Sequence, residues 1–146
     1  MKVLVQRVKK TSCEINGKVV SQIDKGLLVF VGVEKSDSFE EAKQLAHKCA
    51  NLRVFDDKNG KMNLSVKDVE DGKILVISQF TLCADCKKGL RPGFDNSAPP
   101  EQAKEIYNKF IESISSEGIE TQQGVFREYM NIGLINDGPV TFILSS

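Results

Sequence analysis

A hydrolase that activates a serine, threonine or cysteine commonly does so with an imidazole, and this chain has a single histidine, His47. It falls inside a helical pattern, between Ala46 on the apolar face and Lys48 on the polar one, and no Ser-His-Asp or Cys-His signature surrounds it. The setting is that of a surface histidine, so a hydrolytic base is expected to be something else. Cys83-Ala84-Asp85-Cys86 is a CxxC. A closed zinc site needs four ligands and no second pair is present, while a redox CxxC belongs at a helix start in a thioredoxin-like βαβ context that is missing. The thiols read as unrelated loop cysteines, and neither a metal nor another cofactor is expected.

Polar groups also gather in two other stretches. Ser78-Gln79-Phe80-Thr81-Leu82 follows the apolar run Ile74-Leu75-Val76-Ile77 and ends a central strand on polar side chains. Such a strand end either lines a site or satisfies its hydroxyls locally, and the residues alone leave both open. Asn136-Asp137-Gly138-Pro139-Val140-Thr141 reads first as a tight hairpin turn. Proline after Asp-Gly is awkward there, because it fixes φ and removes an amide donor. A Gly-Pro bond also has an accessible cis form, which would aim successive backbone carbonyls in nearly one direction and make a rigid acceptor pair from backbone alone.

The elements that must position these residues follow from pattern. Strands are expected over Val3 to Val8 and on through Ser12 to Ile15, then Lys18 to Ile23, with Asn16-Gly17 as the two-residue hairpin between them. Leu27 to Val33 is continuously apolar and reads as a strand buried on both faces. A helix begins after Ser38, with Glu40 and Glu41 at its positive end and Phe39, Ala42, Leu45, Ala46, Cys49 and Leu52 on one face. Arg53 to Phe55 is a short strand, Asp56 to Gly60 a turn, and Lys73 to Phe80 a further strand. Cys83 to Pro99 is a polar loop long enough to suggest function. A second helix starts at Pro99-Pro100, buries Ala103, Ile106, Tyr107, Phe110, Ile111 and Ile114, and stops at Gly118. Glu120 to Phe126, Met130 to Ile135 and Val140 to Leu144 read as strands. This order predicts an α+β fold, with a mainly antiparallel, barrel-like sheet and two covering helices in one domain spanning residues 1–146.

Composition narrows the function classes. Lys plus Arg is 20 and Asp plus Glu is 20, so the net charge is zero, against wide non-specific nucleic-acid binding but not against a local basic pocket gripping one end of an RNA. No secretory signal and no apolar run of bilayer-spanning length is visible, so a cytoplasmic location, no membrane partner and reduced thiols are expected.

The two polar stretches taken together resemble the paired signature of the D-aminoacyl-tRNA deacylase family, and the resemblance runs along the whole chain. Val5-Gln6-Arg7-Val8, Gly60-Lys61-Met62-Asn63 and Lys88-Gly89-Leu90-Arg91-Pro92 match it in the same order. Departures occur at Gly93-Phe94, where a serine commonly precedes the phenylalanine, and at Arg127-Glu128-Tyr129, in place of smaller residues before Met130. The resemblance implies ester hydrolysis of D-aminoacyl-tRNA, and of glycyl-tRNA, with rejection of L-aminoacyl-tRNA. It implies a homodimer with composite sites, in which a cis Gly138-Pro139 from one subunit faces the substrate's chiral carbon in the other. Arg7 would hold that segment, Ser78, Gln79, Phe80 and Thr81 would supply the catalytic floor, and Phe126 and Met130 would contact the substrate bearing the tRNA's 3′-terminal adenosine. Backbone amides near Phe80 and Thr81 are candidate oxyanion donors. Thr81 is a candidate nucleophile without an evident base, and water assisted by the substrate's neighbouring ribose hydroxyl is the more economical attack. A non-catalytic nucleic-acid adaptor using Lys87, Lys88 and Arg91, and a deacylase editing L-amino acids with a trans Gly-Pro bond, are the competing readings.

Overall fold

A computed structural model describes residues 1–146. The chain opens with β1 (Lys2–Ile15), β2 (Lys18–Ile23) and β3 (Gly26–Gly32), passes through α1 (Phe39–Asn51), and makes a small hairpin from β4 (Phe55–Asp56) and β5 (Met62–Leu64). β6 (Lys73–Ser78) leads into a 3₁₀ turn, Phe80–Cys83, then α2 (Pro100–Ser115), β7 (Glu120–Gln123) and β8 (Asn131–Ser145). The main sheet runs β2-β1-β3-β6-β7, with β8 along the other edge of β1.

The Asn16-Gly17 turn forms as expected, both residues at positive φ, +50° and +77°. Ser38 caps α1 in a reciprocal capping box: its hydroxyl accepts from the backbone at the helix start while the Glu41 carboxylate accepts from the Ser38 N–H. The buried face of α1 is Ala42, Leu45, Ala46, Cys49 and Ala50, and Phe39 lies outside it, half exposed.

The sheet is mixed rather than mainly antiparallel. β3 pairs with β6, and β6 with β7, in parallel, because each connection crosses over through a helix and returns the chain to the same end. Alternation along these strands separates two cores. Leu27, Val29, Val31, Ile74 and Val76 pack beneath the helices with Phe110 and Ile114, while Leu28, Leu75 and Ile77 turn to the other face and meet Val8, Cys13 and Ile23. The sheet curls until β2 approaches β7, where the Gln22 N–H donates to the Gln122 side chain at 2.9 Å, so the barrel is nearly closed.

The tail departs from expectation twice. The expected strand over Glu120 to Phe126 ends at Gln123 because Val125–Glu128 folds into a turn, closed by the Glu128 N–H on the Val125 carbonyl. The expected hairpin at Asn136–Pro139 is instead a bulge inside one strand. Both flanks pair antiparallel with β1: Val8 faces Asn136 and Gln6 faces Thr141, so a step of two on β1 spans five on β8. No helix is long and apolar enough to cross a membrane.

Candidate active site

A cavity of about 620 Å³ opens where the parallel strands β3 and β6 end. Ser78, Gln79 and Phe80 form one wall; Tyr107 and Ala103 of α2 form another; Phe126, Met130 and Ile132 close the third side. The cavity therefore gathers five of the expected site residues: Ser78, Gln79, Phe80, Phe126 and Met130.

Its floor is built by the abrupt end of β6. The Gln79 N–H still completes the ladder on the Val31 carbonyl at 2.8 Å, and the chain then tightens into the 3₁₀ turn. A helical turn leaves its first N–H groups without internal partners, and the Phe80 and Thr81 amides have none in the surrounding turns and loops. Two adjacent donors of this kind suit a developing oxyanion. Gly32 makes the tight turn possible: a side chain there would meet Cys83 Sγ at 2.9 Å and the Gln79 carbonyl at 3.0 Å. Above the floor, Phe80 packs its exposed ring on Phe94 with centroids 5.1 Å apart, tying the long loop to the cavity rim.

Acid–base groups are sparse. The Thr81 hydroxyl accepts from Gln79 Nε2 and meets no carboxylate, imidazole or amine, and Thr81 does not line the cavity. Tyr107, whose place on the cavity wall the sequence pattern did not reveal, donates its hydroxyl to the Val76 carbonyl at 3.0 Å. Burial pushes that phenol above its ordinary range, so it stays a neutral donor committed to the backbone. His47 sits on the far surface, its Nδ1 2.7 Å from Glu117. That contact, with Lys67 beside it, holds the Glu117 carboxyl at about 2. Substituting His47→Ala is expected to leave ester hydrolysis within about twofold of the parent chain, since an exposed contact so placed contributes little, measured as initial rates on one aminoacyl-tRNA. The CxxC splits between a buried Cys83 and an exposed Cys86, and burial raises the Cys83 thiol further from ionisation.

Arg7, Gly138 and Pro139 form a second constellation. Arg7 is only 7% exposed and is held by two backbone carbonyls: Nη1 donates to the Val54 carbonyl at 2.6 Å and Nε to the Asp137 carbonyl at 2.9 Å, with Asp56 and Asp137 carboxylates at 3.5 and 3.6 Å. Asn136, named in the sequence stretch but given no role of its own there, braces the bulge from its base. Its Oδ1 accepts the Val140 N–H at 2.7 Å, and its Nδ2 donates to Thr141 Oγ1 at 2.9 Å. The Gly138–Pro139 bond is cis.

The two constellations do not meet within one chain. Ile132, on the cavity wall, faces Cys13, whereas Asn136, at the bulge, faces Val8. Five residues of β1 separate those pairs, roughly 17 Å at the strand rise.

The comparisons with known proteins agree with this architecture. Residues 4–145 match the family model described as D-Tyr-tRNA(Tyr) deacylase. A protein of Thermodesulfovibrio yellowstonii named D-aminoacyl-tRNA deacylase is 54% identical over 143 residues, covering 98% of this chain and 97% of its own. One of the same name from Fervidobacterium nodosum is 51% identical over 146 residues, covering 100% of this chain and 97% of its own. Among solved structures, the c-Myc DNA Unwinding Element Binding Protein superposes with TM-score 0.93 at 39% identity over 100% of this chain and 99% of that one. A probable eukaryotic D-amino acid tRNA deacylase shares the fold, with TM-score 0.83 at 14% identity, over 98% and 97% of the two chains. A cavity floored by the Ser78–Phe80 strand end, an Arg7-held Gly138-Pro139 bulge, and a match over nearly every residue lead to one assignment: the chain belongs to the D-Tyr-tRNA(Tyr) deacylase family.

Proposed function

We propose that the chain hydrolyses the ester between a D-amino acid and the 3′-terminal adenosine of tRNA, in a cavity completed by a second copy of itself. The family membership gives the reaction. The observation that carries the composite site is the separation of the Gly138-Pro139 bulge from its own chain's cavity, although both are carried by β8 or its approach. β8 pairs only with β1 and so has a free outer edge. Leu134, Ile135, Phe142 and Ile143 stand exposed along it. An exposed apolar edge strand of this length is a surface that proteins cover. A second copy seated there would carry each bulge toward the other's cavity, with an isologous interface as twofold symmetry requires. Proteins of this kind would act in the cytoplasm, where aminoacyl-tRNA is found.

In the assembled site the Phe80 and Thr81 amides stabilise the oxyanion formed when water attacks the ester carbonyl. The ribose hydroxyl beside the ester orients that water and relays a proton, accepting one from the water as it donates its own to the departing 3′ oxygen. The carbonyl–oxygen bond then breaks, leaving free amino acid and a tRNA with its terminal diol restored. The partner's bulge presents the Gly138 and Pro139 carbonyls to the α-amino group and leaves no room for an L side chain, so selection is by exclusion. Glycine, with no side chain, also enters.

Deacylation of matched D-aminoacyl-, L-aminoacyl- and glycyl-tRNA tests the reading. D- and glycyl esters are expected to be cleaved and L-esters spared. Cleavage confined to L-esters would assign L-editing, and binding without cleavage would assign an adaptor. Sedimentation should give about twice the 16.2 kDa chain mass, and a fully active monomer would remove the composite site.

A further inference from the structure

The cavity rim carries a feature that hydrolysis of the ester does not use. Arg127, Glu128 and Tyr129 line the mouth in succession. Tyr129 is 86% exposed. Neither Arg127 nor Glu128 enters an ion pair. Their backbone is anchored hard. The Gly124 N–H donates to the Val76 carbonyl at 3.0 Å, and a side chain at Gly124 would strike Met130 Sδ at 2.7 Å and Ile77 Cδ1 at 2.9 Å. The following turn, Val125 to Glu128, places Arg127 at its third position with φ +67°, the left-handed region where glycine is the favoured residue. An arginine held there works against the local backbone preference, and a residue kept under such strain beside a cavity points to use of its side chain.

We propose that Arg127, Glu128 and Tyr129 clamp the nucleotide preceding the terminal adenosine, an inference that rests on tRNA being the substrate. The 3′ end of tRNA is single-stranded, and single strands are gripped by an aromatic face together with a cation. Tyr129 stacks on the base, and Arg127 meets the adjoining phosphate. Glu128 can only accept hydrogen bonds, so it faces a donor; the exocyclic amine of cytosine, the base at that position, is one. The clamp lets a chain of zero net charge hold an RNA end without a broad basic surface.

The test compares D-aminoacyl-tRNA with D-aminoacyl-adenosine, which lacks the preceding nucleotide. For Tyr129→Ala the ratio of kcat/KM between the two substrates should fall about tenfold, the loss residing in KM on tRNA, as expected for one lost base–aromatic stack. Tyr129→Phe should restore it, because the ring alone is required. Arg127→Gly should keep or raise the unfolding temperature, since glycine suits φ +67°. The same variant should raise KM on tRNA and reduce its log–log salt slope by about 0.7, the value for one phosphate contact on a single strand. An unchanged substrate ratio in Tyr129→Ala, with the parent chain active on both substrates, overturns the clamp and leaves the function intact. Dissociation of Tyr129→Ala into monomers also overturns it, by assigning the residue to an interface between copies. A parent chain inactive on both substrates overturns the proposed function, and the clamp with it.

Discussion

A tRNA ending in 2′-deoxyadenosine, charged with a D-amino acid on its 3′-hydroxyl, is expected to be hydrolysed on the order of a thousandfold more slowly than the natural substrate, the contribution of one positioned acid–base group. The strand end offers two amide donors at Phe80 and Thr81 but no base beside them, and the one carboxylate of the cavity lining, Glu128, stands at the mouth. Tyr107 is bound to the Val76 carbonyl, and His47 lies at the α1 surface against Glu117. The vicinal ribose hydroxyl is the remaining group that must sit beside the ester by covalent geometry. Thr81→Ala supplies the complementary measurement. Removing a covalent nucleophile costs several orders of magnitude, so a variant retaining activity within about tenfold of the parent excludes Thr81 from that role. The tenfold allowance reflects the contact with Gln79, whose loss loosens the 3₁₀ turn that presents the amides. Single-turnover rates for both substrates on both proteins decide the matter. A dead Thr81→Ala protein, together with a parent chain that cleaves the deoxy substrate as fast as the natural one, would make Thr81 the nucleophile.

How far the sequence revealed this arrangement depended on the range of the signal. Where the signal was local it held: Asn16-Gly17 made the first hairpin, Ser38 and Glu41 made the cap of α1, and Pro100 began α2. Sheet direction was not local. The two helical crossovers make β3, β6 and β7 parallel; the continuous apolar runs of β3 and β6 hinted at this, but the four-residue, polar β7 carries no such mark. The Asn136-Asp137-Gly138-Pro139 stretch misled for the same reason. Its residues are those of a hairpin turn, and only the register of both flanks against β1 shows it to be a bulge. The strand expected through Phe126 stopped early because Arg127 takes a left-handed φ that its residue type gives no hint of. Of the expected site residues, Ser78, Gln79, Phe80, Phe126 and Met130 share the cavity. Arg7 and the Gly138-Pro139 bulge form a separate unit, and Thr81 stands beside the floor rather than on it. The sequence could indicate that both units matter, but the distance between them is a tertiary quantity, and it is what calls for a second copy.

That distance also explains why a small change at the bulge should have a large effect on a site it does not touch in its own chain. Gly138→Ala is expected to lower kcat/KM on D-aminoacyl-tRNA by on the order of a hundredfold, the penalty of misplacing a positioning group by about an ångström. The new methyl would lie 2.6 Å from Val140 Cγ2 and 3.2 Å from Arg7 Nη2, at a φ of +134° that side chains rarely adopt. Val140 is buried under the helices and cannot retreat, and the Arg7 guanidinium is fixed by the Val54 and Asp137 carbonyls. The bulge itself must therefore move, and Asn136 with it. The local clash should lower stability by about 1–3 kcal/mol, the usual result of overpacking, which leaves a foldable protein for kinetic work. Because in the proposed dimer the displaced bulge belongs to the partner's site, a dimer mixed from Gly138→Ala and Thr81→Ala subunits supplies a control. Half of its cavities combine an intact Thr81 with the partner's unaltered bulge, so they should cleave D-esters at the parent rate, while the other half carry both changes. A Gly138→Ala protein that is folded, dimeric and unchanged on both D- and L-esters would show that chirality is read elsewhere in the cavity.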